Sequence, residues 1–224
     1  MRIFESIIKN NDIVFDVGSN IGDKSEIFLK LGAEVIGFEP QQECYSHTIN
    51  RFSNNNKFRC ENIALDNKEG KEIMFIASYH SISSMSEKFI KESKKERFTD
   101  YSWNLKREVR TDTLDNVIKK YGNPSFIKID VEGYELNVLK GLTSPVKYIS
   151  IEFNPELCEN TIDCINYTDN LNSNNTVFNY GYRNEEYFKY ENWISKDEII
   201  EYLKSVNDFK YEFGDVYCKN IKLV

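Results

Sequence analysis

The chain of 224 residues carries 36 Asp and Glu against 29 Lys and Arg, a formal net charge of −7, which disfavours bulk binding to a phosphate backbone. Hydrophobic residues at 40%, charged residues at 29%, 14 Tyr and 15 Phe describe a globular chain with enough apolar mass for one core, and argue against disorder. Five cysteines, odd in number and without a C-x-x-C pair, exclude a disulfide framework or zinc knuckle, and with no long apolar run or export signal the expectation is a soluble, cytoplasmic protein.

Residues 3–10 have helix-like apolar spacing and could cover a sheet edge. "DIVFDV" (12–17) and "EVIGFE" (34–39) are short apolar runs, and between them Ile27, Phe28 and Leu31 share a helical face that ends at Gly32. That is a βαβ unit with a parallel strand pair. A helix over 41–52, a strand over 57–65, a turn at 67–70 and a strand over 71–78 follow. Residues 78–110 break the alternation and read as an insertion, or lid, over the carboxyl edge of the sheet; within it the Lys-rich stretch 88–98, interrupted by Glu92 and Glu96, reads as a solvated helix face. Helices over 113–122 and 134–142 then alternate with strands over 125–130 and 146–153. The last part is less regular: an Asn-rich loop (170–181), a strand (185–193), a helix (195–206) whose Ser195 and Glu198 have capping-box spacing, and a final strand (215–224). The pattern predicts one α/β domain over residues 1–224, with an open, mostly parallel sheet.

In such a sheet, ligands sit outside the carboxyl ends of the strands at the switch point, where the first turn brings backbone close. That turn here is "DVGSNIG" (16–22), spaced G-x-x-x-G, whereas the dinucleotide fingerprint G-x-G-x-x-G needs a middle glycine to clear the pyrophosphate. Asp16 and Asp23 place carboxylates around the helix N-terminus that a pyrophosphate would occupy. A nucleoside carrying a sulfonium and an ammonium suits that charge, and Glu39, at the end of the second strand, is placed to accept from both ribose hydroxyls. The bland alternative is a tight turn with a capping Asp16 and a surface Glu39.

In order, "DVGSNIG", "IGFEP", "NIALDNKEG", "SISSM", "TLDNVI", "IKIDVEGYELNVLKGL" and "YISIEF" resemble the FkbM-type methyltransferases, themselves similar to the wider Rossmann-like, class I S-adenosylmethionine enzymes. The resemblance covers about residues 12–153. It implies a seven-stranded sheet with helices on both faces, S-adenosyl-L-methionine as methyl donor, and O-methylation of a hydroxyl on a sugar, glycan or secondary metabolite. By match, Asp16, Gly18, Asn20 and Gly22 would surround the methionine part, Glu39 the ribose, Ile63 and Ala64 the adenine edge, and Asp130 the methyl group.

Methyl transfer to oxygen needs the reacting atoms held in line near about 3 Å, water excluded, and a base for the hydroxyl proton. Asp130 and Glu132, at the carboxyl end of the fourth parallel strand, are the leading acids, although either could simply cap the helix that follows. His80, in the insertion, is the third candidate; His47 falls in an outer helix. Asp130, Glu132 and Glu152 could converge on a divalent metal, but no ligand spacing favours one and none is assigned. Tyr79, Trp103, Tyr180 and Tyr182 lie where rings could stack on a sugar. Two other readings stand beside this one: a nicotinamide-dependent oxidoreductase, weakened by the missing glycine, and a non-catalytic cofactor-binding subunit. A nucleic-acid amino-methyltransferase fits less well, because Asn154-Pro155 follows the fifth strand of the pattern and not the fourth.

Overall fold

The computed structural model describes residues 2–95, 97–182, 187–206 and 212–223. A seven-stranded sheet runs in the order β3-β2-β1-β7-β8-β10-β9, built from β3 (Phe58–Glu61), β2 (Glu34–Phe38), β1 (Ile13–Val17), β7 (Phe126–Ile129), β8 (Tyr148–Phe153), β10 (Gly214–Asn220) and β9 (Thr176–Tyr182). Neighbours from β3 to β8 are parallel, and β10 runs antiparallel to both β8 and β9. The chain leaves β1 towards β2 and β3, then returns to the other side of β1 with β7, so the crevice between β1 and β7 is the switch point.

Helices cover both faces, as a sheet whose central strands are buried on both sides requires. On one face α1 (Arg2–Ile7), α2 (Asp23–Lys30) and α3 (Gln42–Arg51) pack Phe4, Phe28 and Ile49 against Val14, Val35 and Phe126. On the other, α5 (Leu114–Tyr121), α6 (Glu135–Lys140), α7 (Cys158–Leu171) and α8 (Lys196–Ser205) bring Val117, Leu139, Ile165 and Leu203 onto Phe15, Ile127 and Ile151. The strand runs, the helix ends and the capping box of Ser195 and Glu198 follow the sequence pattern.

Four expectations are corrected. The strand expected over 57–65 divides after Glu61, and its second half, β4 (Ala64–Leu65), joins a separate three-stranded sheet ordered β4-β6-β5. That small sheet contains β5 (Gly70–Ile76) and β6 (Leu105–Asp112), so the segment expected as a 78–110 insertion becomes a strand from Leu105 onwards, paired antiparallel with β5. The Asn-rich segment read as a loop over 170–181 holds most of β9, of which all but Val177 and Tyr182 are buried, and α7 before it was not foreseen at all. In place of the strand expected over 185–193, residues from Tyr187 make only isolated bridges, Gly181 with Phe188 and Phe178 with Ile194; residues 185–186 lie outside the described residues, as does Glu96.

Between β5 and β6 the chain forms a short 3₁₀ turn (His80–Ile82) and α4 (Glu87–Ser93), started by the Ser86 hydroxyl, which accepts the Phe89 amide. Ile82, Phe89, Trp103 and Leu157 form a small core beneath it, and the Trp103 indole donates to the Ile82 carbonyl at 2.8 Å. From this segment Tyr79, His80, Ser81, Ser83, Ser84 and Met85 line the cavity beside the turns that follow β1 and β7.

Candidate active site

The turn after β1 is suspended from the end of β2: the amides of Gly18 and Ser19 both donate to the Phe38 carbonyl, at 2.9 and 3.2 Å. Gly18 has φ +80°, and a Cβ there would fall 1.9 Å from the Asp130 carbonyl oxygen, so only glycine lets the β1 turn lie against the end of β7. Asn20 also takes positive φ, and Gly22 caps α2 in the left-handed region. Asp16 is buried and accepts the Ser25 hydroxyl at 2.6 Å; burial raises its carboxyl above the ordinary range.

Glu39 follows β2 directly and is 2% exposed. Its carboxylate accepts two main-chain amides, Asn20 N–H at 2.8 Å and Gln41 N–H at 2.7 Å. Burial pushes its pKa up to about 7 while the two amides hold it down. Two anti-parallel pulls of this kind leave a carboxylate fixed in place, with lone pairs remaining for a ligand's hydroxyl donors.

Across the crevice, β7 ends in Lys128 and Ile129, and Asp130 follows it directly. Lys128 is 1% exposed, and its ammonium lies 2.7 Å from Asp130 Oδ2 and 3.7 Å from Asp215 Oδ1. Glu132 and Gly133 both take positive φ, a tight turn whose Glu132 carbonyl accepts the Ser84 hydroxyl at 2.7 Å. Glu135 closes the turn by accepting the Gly133 amide at 2.9 Å; burial pushes its pKa up to about 7. Carboxylate oxygens of Asp130, Glu132 and Glu152 lie within 4.8 Å of one another. Burial, with the neighbouring carboxylates second, holds Glu132 and Glu152 well above the ordinary range. Three oxygens at that spacing could hold a divalent cation, but the Lys128 ammonium already supplies positive charge at Asp130.

These groups face one cavity of about 270 Å³, walled by Asp16, Gly18, Asn20 and Glu39 on the β1–β2 side and by Asp130, Glu132 and Glu152 on the β7–β8 side. Tyr79, His80, Ser83 and Met85 roof it. Among the described residues His80 Nδ1 is buried without a hydrogen-bond partner, while the His80 main-chain carbonyl accepts the Gln41 side-chain amide at 3.0 Å, tying the roof to a residue that bonds Glu39. Asp16, Gly18, Asn20, Glu39, Asp130, Glu132 and His80 are therefore brought together. Gly22, Ile63 and Ala64 are not on the wall; Ile63 and Ala64 are buried in apolar clusters, and Leu65 and Met74 reach the cavity instead. Of the rings, Tyr79 lines the cavity, Trp103 and Tyr180 are core, and Tyr182 is on the surface. His47 is exposed on α3.

Two wall residues escaped the sequence reading of catalytic candidates. Lys128 had a signal, a lone cation in the apolar strand "FIKID" (125–130 with its flanking Ser). Glu152 likewise stands alone in the apolar "YISIEF".

An acid-lined cavity of this form, at the switch point of a doubly wound sheet, fits a nucleoside with positive charge better than a pyrophosphate. Among described residues, no helix is long and apolar enough to cross a membrane. The chain is 27% identical over 152 residues to a protein of Haloferax volcanii named hexuronic acid methyltransferase AglP, a match covering 67% of this chain and 58% of that protein. Its fold is similar to a Streptococcus mutans methyltransferase-type protein solved in complex with SAH, with TM-score 0.49, 10% identity and coverage of 98% and 94% of the two chains. It is also similar to an rRNA methylase of Streptococcus thermophilus, with TM-score 0.47, 10% identity and coverage of 97% and 92%. Residues 16–213 match the Methyltransferase FkbM domain, which spans the β1 turn, the acid cluster and the roof, and the chain belongs to that family of methyltransferases.

Proposed function

We propose that this protein is an S-adenosylmethionine-dependent O-methyltransferase whose acceptor is a hydroxyl of a sugar, glycan or small hydroxylated metabolite. The observation that carries it is the pairing, across one cavity, of Glu39 fixed by two main-chain amides with the Asp130, Glu132 and Glu152 carboxylates opposite. The fit rests on the donor set: Asp16, Asp23 and Glu39 at the β1–β2 side and Asp130, Glu132 and Glu152 opposite favour the sulfonium and ammonium over a pyrophosphate. When bound, S-adenosylmethionine supplies a methyl carbon activated by positive sulfur.

In this reading Asp16, Gly18 and Asn20 surround the methionine part, Glu39 holds the ribose, and Asp130 lies near the methyl group, while Gly22 shapes the turn from behind. Leu65 and Met74 take the place at the adenine that the resemblance implied for Ile63 and Ala64. Asp130, Glu132 and His80 face the acceptor, and the roof from Tyr79 to Met85 excludes water. A sugar acceptor is favoured by the Haloferax volcanii relative named for hexuronic acid, of which this chain spans 58%.

Titration calorimetry with S-adenosylhomocysteine and, separately, NAD tests the cofactor. Binding of the first in the micromolar range and none of the second supports the proposal; the reverse overturns it. Methyl transfer to a panel of neutral and acidic methyl glycosides tests the acceptor, and a chain that binds the cofactor but methylates no hydroxyl compound would reject the acceptor class.

A further inference from the structure

Resting on that reading and going beyond it, we propose that Glu152 takes the proton from the acceptor hydroxyl, and that Asn154 and Arg97 are its positioning residues. Glu152 is the penultimate residue of β8 and lines the cavity. Its Oε2 accepts the Asn154 side-chain amide at 2.9 Å, and the oxygen of that amide accepts from the Arg97 guanidinium. Arg97 also donates through Nε to Glu156 Oε1 at 2.9 Å, and its guanidinium lies 4.9 Å from the centres of both the Phe98 and Phe213 rings. The Arg97 and Glu156 side chains are 8% and 3% exposed, so the pair is held away from water.

The chemistry of the donors sets the direction of this chain. A guanidinium only donates, so Arg97 must face the oxygen end of the Asn154 amide, and the NH₂ end is then turned onto Glu152. A base oriented by a second group, itself oriented by a third, is the arrangement that general-base catalysis uses. The other two acids are held differently. Asp130 has one carboxylate oxygen, Oδ2, engaged by the buried Lys128 ammonium at 2.7 Å. Glu132 is tied through its carbonyl, to Ser84.

The charged groups around Glu152 come from every neighbouring element. Asp130 follows β7, Glu132 and Glu135 lie in and after the turn there, Asp215 is opposite Glu152 in the β8–β10 register, Lys128 lies between Asp130 and Asp215, and Arg97 comes from the segment between α4 and β6. Burial comes first and then the carboxylates in raising the proton affinity of Glu152, against the Arg97 charge. In the step itself, the acceptor oxygen bonds to the methyl carbon, the carbon–sulfur bond breaks with its pair going to sulfur, and the hydroxyl proton passes to Glu152.

The test is a carbon-13 titration of side-chain carboxyls in the full chain saturated with S-adenosylhomocysteine, the Glu152 signal being identified by its loss in Glu152→Gln. Glu152 is expected to titrate above the ordinary glutamate value, and to move up by a further ~1 pH unit in Asn154→Ala and in Arg97→Gln, because each change removes a group that favours the ionised form. Arg97→Lys, which keeps the charge, is expected to move it less. On any panel glycoside that the unaltered chain methylates, Glu152→Gln is expected to lower kcat about 100-fold. An ordinary or unmoved titration, or an undiminished kcat in Glu152→Gln, overturns the proposal. Failure of the unaltered chain to bind S-adenosylhomocysteine would instead reject the proposed function.

Discussion

The Asp130 carbonyl oxygen lies where a side chain on Gly18 would begin, 1.9 Å from the position of a Cβ. That approach joins the ends of β1 and β7, the two strands between which the cavity opens. An alanine at position 18 would have to displace main chain and also accept φ +80°. Gly18→Ala is expected to lower stability by about 2–4 kcal/mol and to abolish measurable S-adenosylhomocysteine binding. Urea unfolding with calorimetry measures both, and parental affinity in this variant would show that the contact does not shape the site.

Glu39 owes its position to the amides of Asn20 and Gln41, one on each oxygen. A glutamine has only one acceptor end, so Glu39→Gln sets an NH₂ against one of those amides and leaves a buried donor unpaired. The expected loss is about 1–3 kcal/mol of stability and at least about tenfold in affinity for S-adenosylhomocysteine. Adenine alone, which has no ribose, should bind the variant and the parent alike if Glu39 serves the ribose.

Stability should depend on pH in an unusual direction. Asp16, Glu39, Glu132, Glu135 and Glu152 are all raised by burial, Glu39 and Glu135 to about 7. Between the ordinary carboxylate range and about 7, the folded chain keeps protons that the unfolded chain has released, so stability falls as pH rises through this window. Exposed acids with lowered pKa, such as Glu43 beside Arg107 and Glu198 beside Ser195, act oppositely and only below the ordinary range. The melting temperature of the ligand-free chain is thus expected to be higher near pH 5.5 than near pH 8. A ligand whose ribose hydroxyls donate to ionised Glu39 should release protons on binding near pH 6, and calorimetry in buffers of different ionisation heat would detect them.

The first βαβ unit and the block around Asp130 were legible because apolar runs there are bounded by Gly and by acids that end strands. Turn chemistry and burial point the same way at those places, so local signals suffice. Helix α7 was not legible because its buried face includes Thr161, Thr168 and Asp169, polar residues that spoil the apolar period. Asp169 is buried with the Lys196 ammonium 2.8 Å away, a long-range pairing that no local pattern contains. β9 was hidden by its asparagines: Asn179 is buried and its side chain bonds Tyr190 main chain in place of solvent. The same limit explains Glu152, whose role depends on Arg97, 55 residues earlier and across the cavity roof.

Lys128 stands opposite Asp16 in the β1–β7 register and reaches Asp130 and Asp215, so one buried cation serves three buried or half-buried acids. Replacing it by methionine keeps the volume but leaves Asp130 and Asp215 without that charge. Breaking a buried pair in this way costs about 3–5 kcal/mol, more than the apolar gain offsets. Lys128→Met is therefore expected to lower the urea midpoint strongly, and Asp215→Asn added to it should restore about 1–2 kcal/mol, because one of the stranded carboxylates is then removed. A Lys128→Met chain within ~1 kcal/mol of the parent, or a double variant with strictly additive losses, would mean that water or other donors already compensate these acids. The same substitution should push Asp16 further up, since the Lys128 charge lowers it now.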